Sequence, residues 1–225
     1  MTSKIFKHLD TITALFVAVL LISNVASTKI VQFGPFTFDA GTLLFPLSYI
    51  FGDILTEVYG YKKSRKVIWL GFICALLMSL TFIIVGKLQP AADWLNQDAY
   101  DKILGLTPRI VIASLIAYFS GEFSNSFTLA KMKIMTKGKW LWTRTIGSTV
   151  IGEFIDTILF IFIAFYGVLP MSLIWTLIIS NYLFKTGVEV ILTPLTYKVI
   201  SWLKKSESED YYDNKTNFNP FTLKT

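Results

Sequence analysis

The feature that most limits the folds open to this chain is the recurrence of apolar stretches such as LFVAVLLISNVA, VIWLGFICALLMSLTFIIVG and TILFIFIAFYGVL. Several such stretches, with their flanks, reach the roughly 20 residues that a helix needs to cross about 30 Å of hydrocarbon. Of the 225 residues, 53% are hydrophobic and only 16% are charged, so an integral membrane protein built of helices is the class that fits. A membrane barrel would instead show short segments of alternating polarity, and the sequence has none. The net charge of +6 sits in short basic clusters beside helix ends. Membrane topology asks for that pattern, and a nucleic-acid surface does not. One cysteine, Cys74, lies inside an apolar run, which excludes an intrachain disulfide framework.

Six spans are expected, at about 10 to 31, 41 to 60, 65 to 87, 108 to 135, 145 to 168 and 171 to 203. The first follows Lys4 and Lys7 and is too long for a signal peptide's apolar core, so it reads as a retained helix. Between the first two, QFGPFTFDAG alternates aromatics around Gly34-Pro35, the pattern of a small hairpin at the membrane surface. The second span is interrupted by Pro46, Gly52, Asp53 and Glu57, and its clean apolar run is short, which allows a broken or re-entrant helix. The sixth exceeds one straight crossing and is expected to emerge near Pro194. Residues 1–205 form the membrane domain in this reading, and the polar stretch 206–225 (SESEDYYDNKTNFNP within it) is expected to be a disordered tail.

Lys62, Lys63, Arg65 and Lys66 fall between spans two and three, and Lys131, Lys133, Lys137, Lys139 and Arg144 between four and five. Lys198, Lys204 and Lys205 close span six. Six crossings with both termini in the cytoplasm place all these clusters on the positive side.

Within the spans stand four polar sets: Asp53 and Glu57; Glu122 and Asn125; Glu153 and Asp156; and Asn181, Lys185 and Glu189. Their spacings of three or four residues put each set on one helix face, and polar faces of several helices point to one shared interior. Three sites read as Gly-acid (Gly52-Asp53, Gly121-Glu122, Gly152-Glu153), and the last two extend to GEFxN and GEFxD, the trace that a short internal repeat would leave. Six acids stand against one base, Lys185. A single carboxylate at mid-membrane costs about 2.5–3.5 kcal/mol even on the gentlest scale, so the acids need protons, a wet cavity, or a ligand with matching donors. Asp53 and Glu57, one turn apart, are not expected both to be ionised when the site is empty.

An intramembrane enzyme is the first class to test. Gly52-Asp53 supplies only half of the GxGD motif of membrane aspartyl proteases, because Ile50 stands where the first Gly belongs, and no span holds a Tyr-Asp pair. The one histidine, His8, precedes the first helix, so zinc ligation of the HExxH kind is absent. A small-molecule carrier with no cofactor fits better.

The string FPLSYIFGDILTEVYGYKKSRKVIWLGF, followed in order by GEFxN, GEFxDT…FIAFYG and NYLFK, resembles the queuosine precursor transporter family, also called the vitamin uptake transporter or YhhQ family. The resemblance runs from the first span to the sixth. It implies import of 7-cyano-7-deazaguanine and 7-aminomethyl-7-deazaguanine across the bacterial cytoplasmic membrane, and a six-helix bundle similar to the substrate-binding components of energy-coupling-factor transporters. The family's polar motif positions fall on Asp53, Glu122, Asn125, Glu153, Asp156, Asn181, Tyr182 and Lys185, which the resemblance assigns to substrate binding. Another branch of the family has a basic residue where Glu57 stands and lacks an acid at Glu189, so these two are assigned to a gate or a proton site. The wider alternative is a vitamin-binding component of an energy-coupling-factor complex, which would add an ATPase module as partner; the resemblance does not imply one.

A deazaguanine ring offers N1–H and an exocyclic amine side by side, a donor pair that a carboxylate accepts as a fork. Lys185 or an Asn amide could serve its O6. Tyr49, Phe51, Phe123, Phe127, Phe154 and Tyr182 stand beside the polar positions as candidate stacking partners for its flat face. Asp156 is the expected resting partner of Lys185, and Glu57 the expected partner of Lys62 or Lys63.

Overall fold

The computed structural model describes residues 6–26, 29–34, 36–104, 108–167 and 170–222. Helix α1 (Leu9–Ala26) leads into an antiparallel hairpin, β1 (Ile30–Phe33) and β2 (Phe36–Asp39), in which Ile30 pairs with Asp39 and Phe33 with Phe36. Gly34 turns the hairpin at φ 57°, a left-handed conformation open to glycine without a steric penalty. A 3-10 turn (Ala40–Leu43) then enters α2 (Phe45–Tyr59). The remaining helices are α3 (Tyr61–Gly86), the short α4 (Gln97–Ile103), α5 (Pro108–Met135), α6 (Leu141–Phe165) and α7 (Met171–Glu207).

α1, α3 and α6 are long and apolar enough to cross a membrane. Large apolar side chains line the outside of the bundle, among them Leu70, Ile73 and Leu77 of α3 and Leu183, Ile191 and Leu195 of α7. The interior instead buries Asp53, Glu57, Glu122, Glu153, Asp156, Lys185 and Glu189. An apolar exterior around a charged interior is the arrangement of a helical membrane protein, because lipid solvates the outside and the costly groups turn away from it.

α2 is the axis of the bundle. It touches α1, α3, α5 and α7 and is buried without interruption from Gly52 to Gly60. The broken or re-entrant helix allowed by the sequence is not what forms. α2 is continuous, and Pro46 lies in its first turn, where a missing N–H costs nothing. At 15 residues it is about 22 Å long, shorter than a bilayer core, and the neighbouring helices cover its polar residues on every side. Only Gly60 (φ 86°) separates it from α3. A Cβ there would run into the Tyr211 ring. The basic cluster expected as a loop is therefore the opening of α3, with Lys62, Lys63, Arg65 and Lys66 all helical.

α5 and α6 pack antiparallel across the two GEF motifs. A Cβ on Gly121 would lie 2.7 Å from the Asp156 Cβ and 3.0 Å from the Gly152 carbonyl oxygen; a Cβ on Gly152 would lie 2.8 Å from the Asn125 Cβ and 3.0 Å from the Gly121 carbonyl oxygen. Each glycine thus meets the fourth residue after its counterpart, so the crossing is locally two-fold. The GEFxN and GEFxD echo is this contact, a close approach of two backbones that small residues permit.

α7 runs for 37 residues and passes Pro194 without ending. Beyond it, where a disordered tail is expected, residues 208 to 222 lie against the bundle. The Arg65 guanidinium donates to the carbonyls of Asn217 and Asn219, both at 2.7 Å, and the Tyr61 amide donates to Asp213 at 3.0 Å. The Trp69 indole N–H donates to the Pro220 carbonyl at 2.8 Å, and the Phe218 and Phe221 rings pack on Tyr61 and on Trp69 with Phe119.

Candidate functional site

A cavity opens between the C-terminal end of α1, the start of α2, and the facing parts of α3, α5, α6 and α7, in the half of the bundle nearer the hairpin. Lys185 and Asp156 stand in its wall. The Lys185 ammonium donates to Asp156 Oδ2 at 2.9 Å, lies 3.2 Å from Glu153 Oε2, and sits 4.4 Å from the centre of the Phe45 ring. Asn181, one helical turn before Lys185, lines the same cavity and accepts from the Thr42 hydroxyl at 3.4 Å. Of the two partners available to Lys185, Asp156 is the closer, as expected from the sequence.

Behind this pair the other acids close ranks. Glu122 lies against Gly52, where any side chain would collide with its carboxyl; this is the reason for glycine at that point of α2. Asn125 donates to Asp53 Oδ1 at 2.8 Å. Both oxygens of Glu122 and of Glu189, Asp53 Oδ2, and the hydroxyls of Tyr49, Tyr118 and Thr157 are buried with no hydrogen-bond partner among the described residues. Buried acceptors in such number are rare in a purely structural core, where nearly every polar atom is paired. Of the five carboxyl groups gathered here (Asp53, Glu122, Glu153, Asp156, Glu189), Glu153 and Asp156 are the two that reach the Lys185 ammonium. The remaining acceptors call for protons or for donors brought by a ligand.

Glu57 does not belong to this group, although it sits one turn from Asp53. Arg144 grips it with two bonds, Nε to Oε2 at 2.8 Å and a terminal nitrogen to Oε1 at 2.6 Å. Lys204 adds a bond at 2.6 Å and Lys133 stands at 3.4 Å. The expected partners Lys62 and Lys63 are not used, because they open α3 on the outer side of the turn at Gly60 whereas Glu57 points to α5, α6 and α7. Lys133 also donates to Asp210 at 2.6 Å and to the Tyr211 carbonyl at 2.7 Å, and Lys204 reaches Asp210 at 2.8 Å. Partial burial pushes the Asp210 carboxyl up, but the bonds from Lys133 and Lys204 outweigh it and hold it below the usual carboxylate range. The residue thereby ties the tail to the cation cluster.

Tyr182 lies on the outer face, where it packs on Phe154 and its hydroxyl donates to the Val150 carbonyl at 3.4 Å. Phe127 and Phe154 are also exposed, so these three aromatics do not face the buried acids. Three side chains escaped the sequence reading. Phe45 covers Lys185, Tyr118 stands one turn before Glu122 on the same face of α5, and Thr157 follows Asp156. The four-residue step from Tyr118 to Glu122 is the one signal that was available.

The model of the family described as "Putative vitamin uptake transporter" matches residues 39–199 of this chain. The chain belongs to that family, also known as the queuosine precursor transporter family. It is 30% identical over 188 residues to a Bacillus subtilis protein named as a probable queuosine precursor transporter, covering 82% of this chain and 81% of the relative. A Haemophilus influenzae protein with the same name is 26% identical over 163 residues, covering 71% and 67%. The queuosine precursor transporter of Escherichia coli is 27% identical over 126 residues, covering 56% and 54%. No solved structure matches the chain. The matched region contains Lys185 and the interior acids Asp53, Glu57, Glu122, Glu153, Asp156 and Glu189.

Proposed function

We propose that this chain is a carrier that imports queuosine precursors, 7-cyano-7-deazaguanine and 7-aminomethyl-7-deazaguanine, across the bacterial cytoplasmic membrane. Five buried carboxyl groups around Lys185, beside a cavity, carry the reading. Membership of the family and the names of the relatives support it. The ring's N1–H and exocyclic amine are donors for Glu153 or Glu122, and its O6 is an acceptor for Lys185 or Asn181. Phe45 offers a flat neighbour for the ring. Asp53 with Asn125, and Glu189, stand behind the cavity wall and take up the protons that the uncompensated acids require.

In this reading the bundle crosses the membrane six times, with both termini and the basic end in the cytoplasm. The cavity in the hairpin half is then the outward mouth. The cluster of Glu57, Arg144, Lys133 and Lys204 is the inner gate, and the segment after Glu207 is its latch.

Binding to the purified protein tests the site. 7-Cyano-7-deazaguanine is expected to bind, and the analogue without the exocyclic amine to bind about a hundredfold more weakly or worse, because a site built for a donor is left with an unpaired acceptor. Equal affinity for the two compounds would refute the assignment of the acids.

A further inference from the structure

We propose that the groove between the start of α1 and the first half of α3 is a binding site for an anionic phospholipid, with the headgroup phosphate on Lys62 and Lys66 and an acyl chain along Leu70, Ile73 and Leu77. The groove is walled by Leu9, Asp10 and Thr13 of α1, by Tyr59 and Tyr211, and by Lys62, Lys63, Lys66, Trp69, Leu70 and Ile73 of α3. It lies outside the polar cavity, and Tyr211, whose carbonyl accepts from Lys133, is its one link to the Glu57 cluster among the lining residues.

The order of residues along α3 specifies the ligand. Lys62 and Lys66 are exposed and one helical turn apart, so both ammonium groups lie on one face. Leu70, Ile73 and Leu77 continue that face and are 44%, 56% and 64% exposed. The stripe is thus charged at its head and apolar for the rest of its length. From Lys66 to Leu77 the helix rises about 16 Å, close to half of the roughly 30 Å hydrocarbon core. A face that begins with cations at the interface and stays apolar for one leaflet matches a lipid from phosphate to chain end. Lys63, its ammonium 3.5 Å from the centre of the Phe6 ring, adds a third positive charge beside the groove. Against these stands one acid, Asp10. The surplus of positive charge selects a headgroup with net negative charge over a zwitterionic one.

The test uses the full-length protein purified in a neutral detergent and measures thermal unfolding against added lipid. Phosphatidylglycerol is expected to raise Tm progressively with its concentration, as a ligand of the folded state must. Phosphatidylcholine with the same chains, phosphatidylethanolamine and inorganic phosphate are expected to give little or no rise. The double variant Lys62→Gln/Lys66→Gln should lose the rise, whereas Lys62→Arg/Lys66→Arg should keep it. A control pair on the far side of the basic end, Lys137→Gln/Lys139→Gln, should keep it too. A rise as large with phosphatidylcholine or phosphatidylethanolamine would refute headgroup selection. Inorganic phosphate acting alone would show an anion site without a lipid. A rise that survives in Lys62→Gln/Lys66→Gln, or vanishes equally in the control pair, would refute the groove as the place of binding. None of these readouts depends on transport.

Discussion

Lys185 is held between Asp156 and Glu153, and each member of that trio depends on the others. Removing the ammonium leaves two carboxylates facing each other in a poorly solvated site, and breaking a buried pair from one side commonly costs about 3–5 kcal/mol. Lys185→Met, Glu153→Gln and Asp156→Asn are each expected to reduce deazaguanine uptake to near background in cells while the protein still reaches the membrane. Cys74→Ser, at a side chain that does not line the cavity, should leave uptake unchanged. Parental uptake in all three site variants would mean that the trio is structural. At the α5–α6 crossing, Gly121→Ala places a methyl 2.7 Å from the Asp156 Cβ and 3.0 Å from a backbone oxygen. Overpacking of this kind costs about 1–3 kcal/mol, so a lowered unfolding temperature in detergent is expected. An unchanged midpoint would show that the helices separate freely there. The polar faces were legible in the sequence because a three- or four-residue step is itself the geometry of a helix face. The grip of Arg144, Lys133 and Lys204 on Glu57 was not, since those cations read equally well as topology signals and only the crossing of α5, α6 and α7 brings them inward.

Among the elements, the segment after Glu207 departs most from its sequence. Its composition is that of a solvated tail, yet Asp210, Asp213, Trp69 and Arg65 fasten it across the basic end. Polar composition signals disorder only when nothing offers partners, and here the exposed backbone carbonyls of the segment meet buried donors that local sequence does not reveal. The pH dependence has a definite sign. Asp210 titrates below the ordinary carboxylate range when docked, so its contribution to docking is complete above that range and is lost as pH falls through the depressed value. A spin label at Asn214 should therefore be immobile at neutral pH and gain mobility only in acid below the usual carboxylate range. Asp210→Asn should loosen it at neutral pH. A label already mobile in the parent at pH 7 would contradict the docked segment. The long helices themselves were legible to within about five residues, but the short α4 (Gln97–Ile103) was not expected and α2 reads as broken when seen alone. Its enclosure by four neighbours makes an unbroken helix possible, and such enclosure is a tertiary fact.

For the whole molecule, the proposed orientation rests on the distribution of Lys and Arg. A reporter fused after Lys205 is expected to be active only in the cytoplasm, and activity outside the cell would invert the proposed topology. In the proposed orientation the cavity is an outward mouth and the Glu57 cluster an inner gate, as the proposed carrier requires for one half of its cycle. The most direct test of that proposal is uptake by the purified chain alone, reconstituted into liposomes with no ATPase partner. Labelled 7-cyano-7-deazaguanine is expected to accumulate in these vesicles, and Asp156→Asn protein at the same density is expected to leave them at the level of empty liposomes. Binding without any uptake by the lone chain would contradict a self-sufficient carrier, and equal uptake by Asp156→Asn would contradict a route through the Lys185 site.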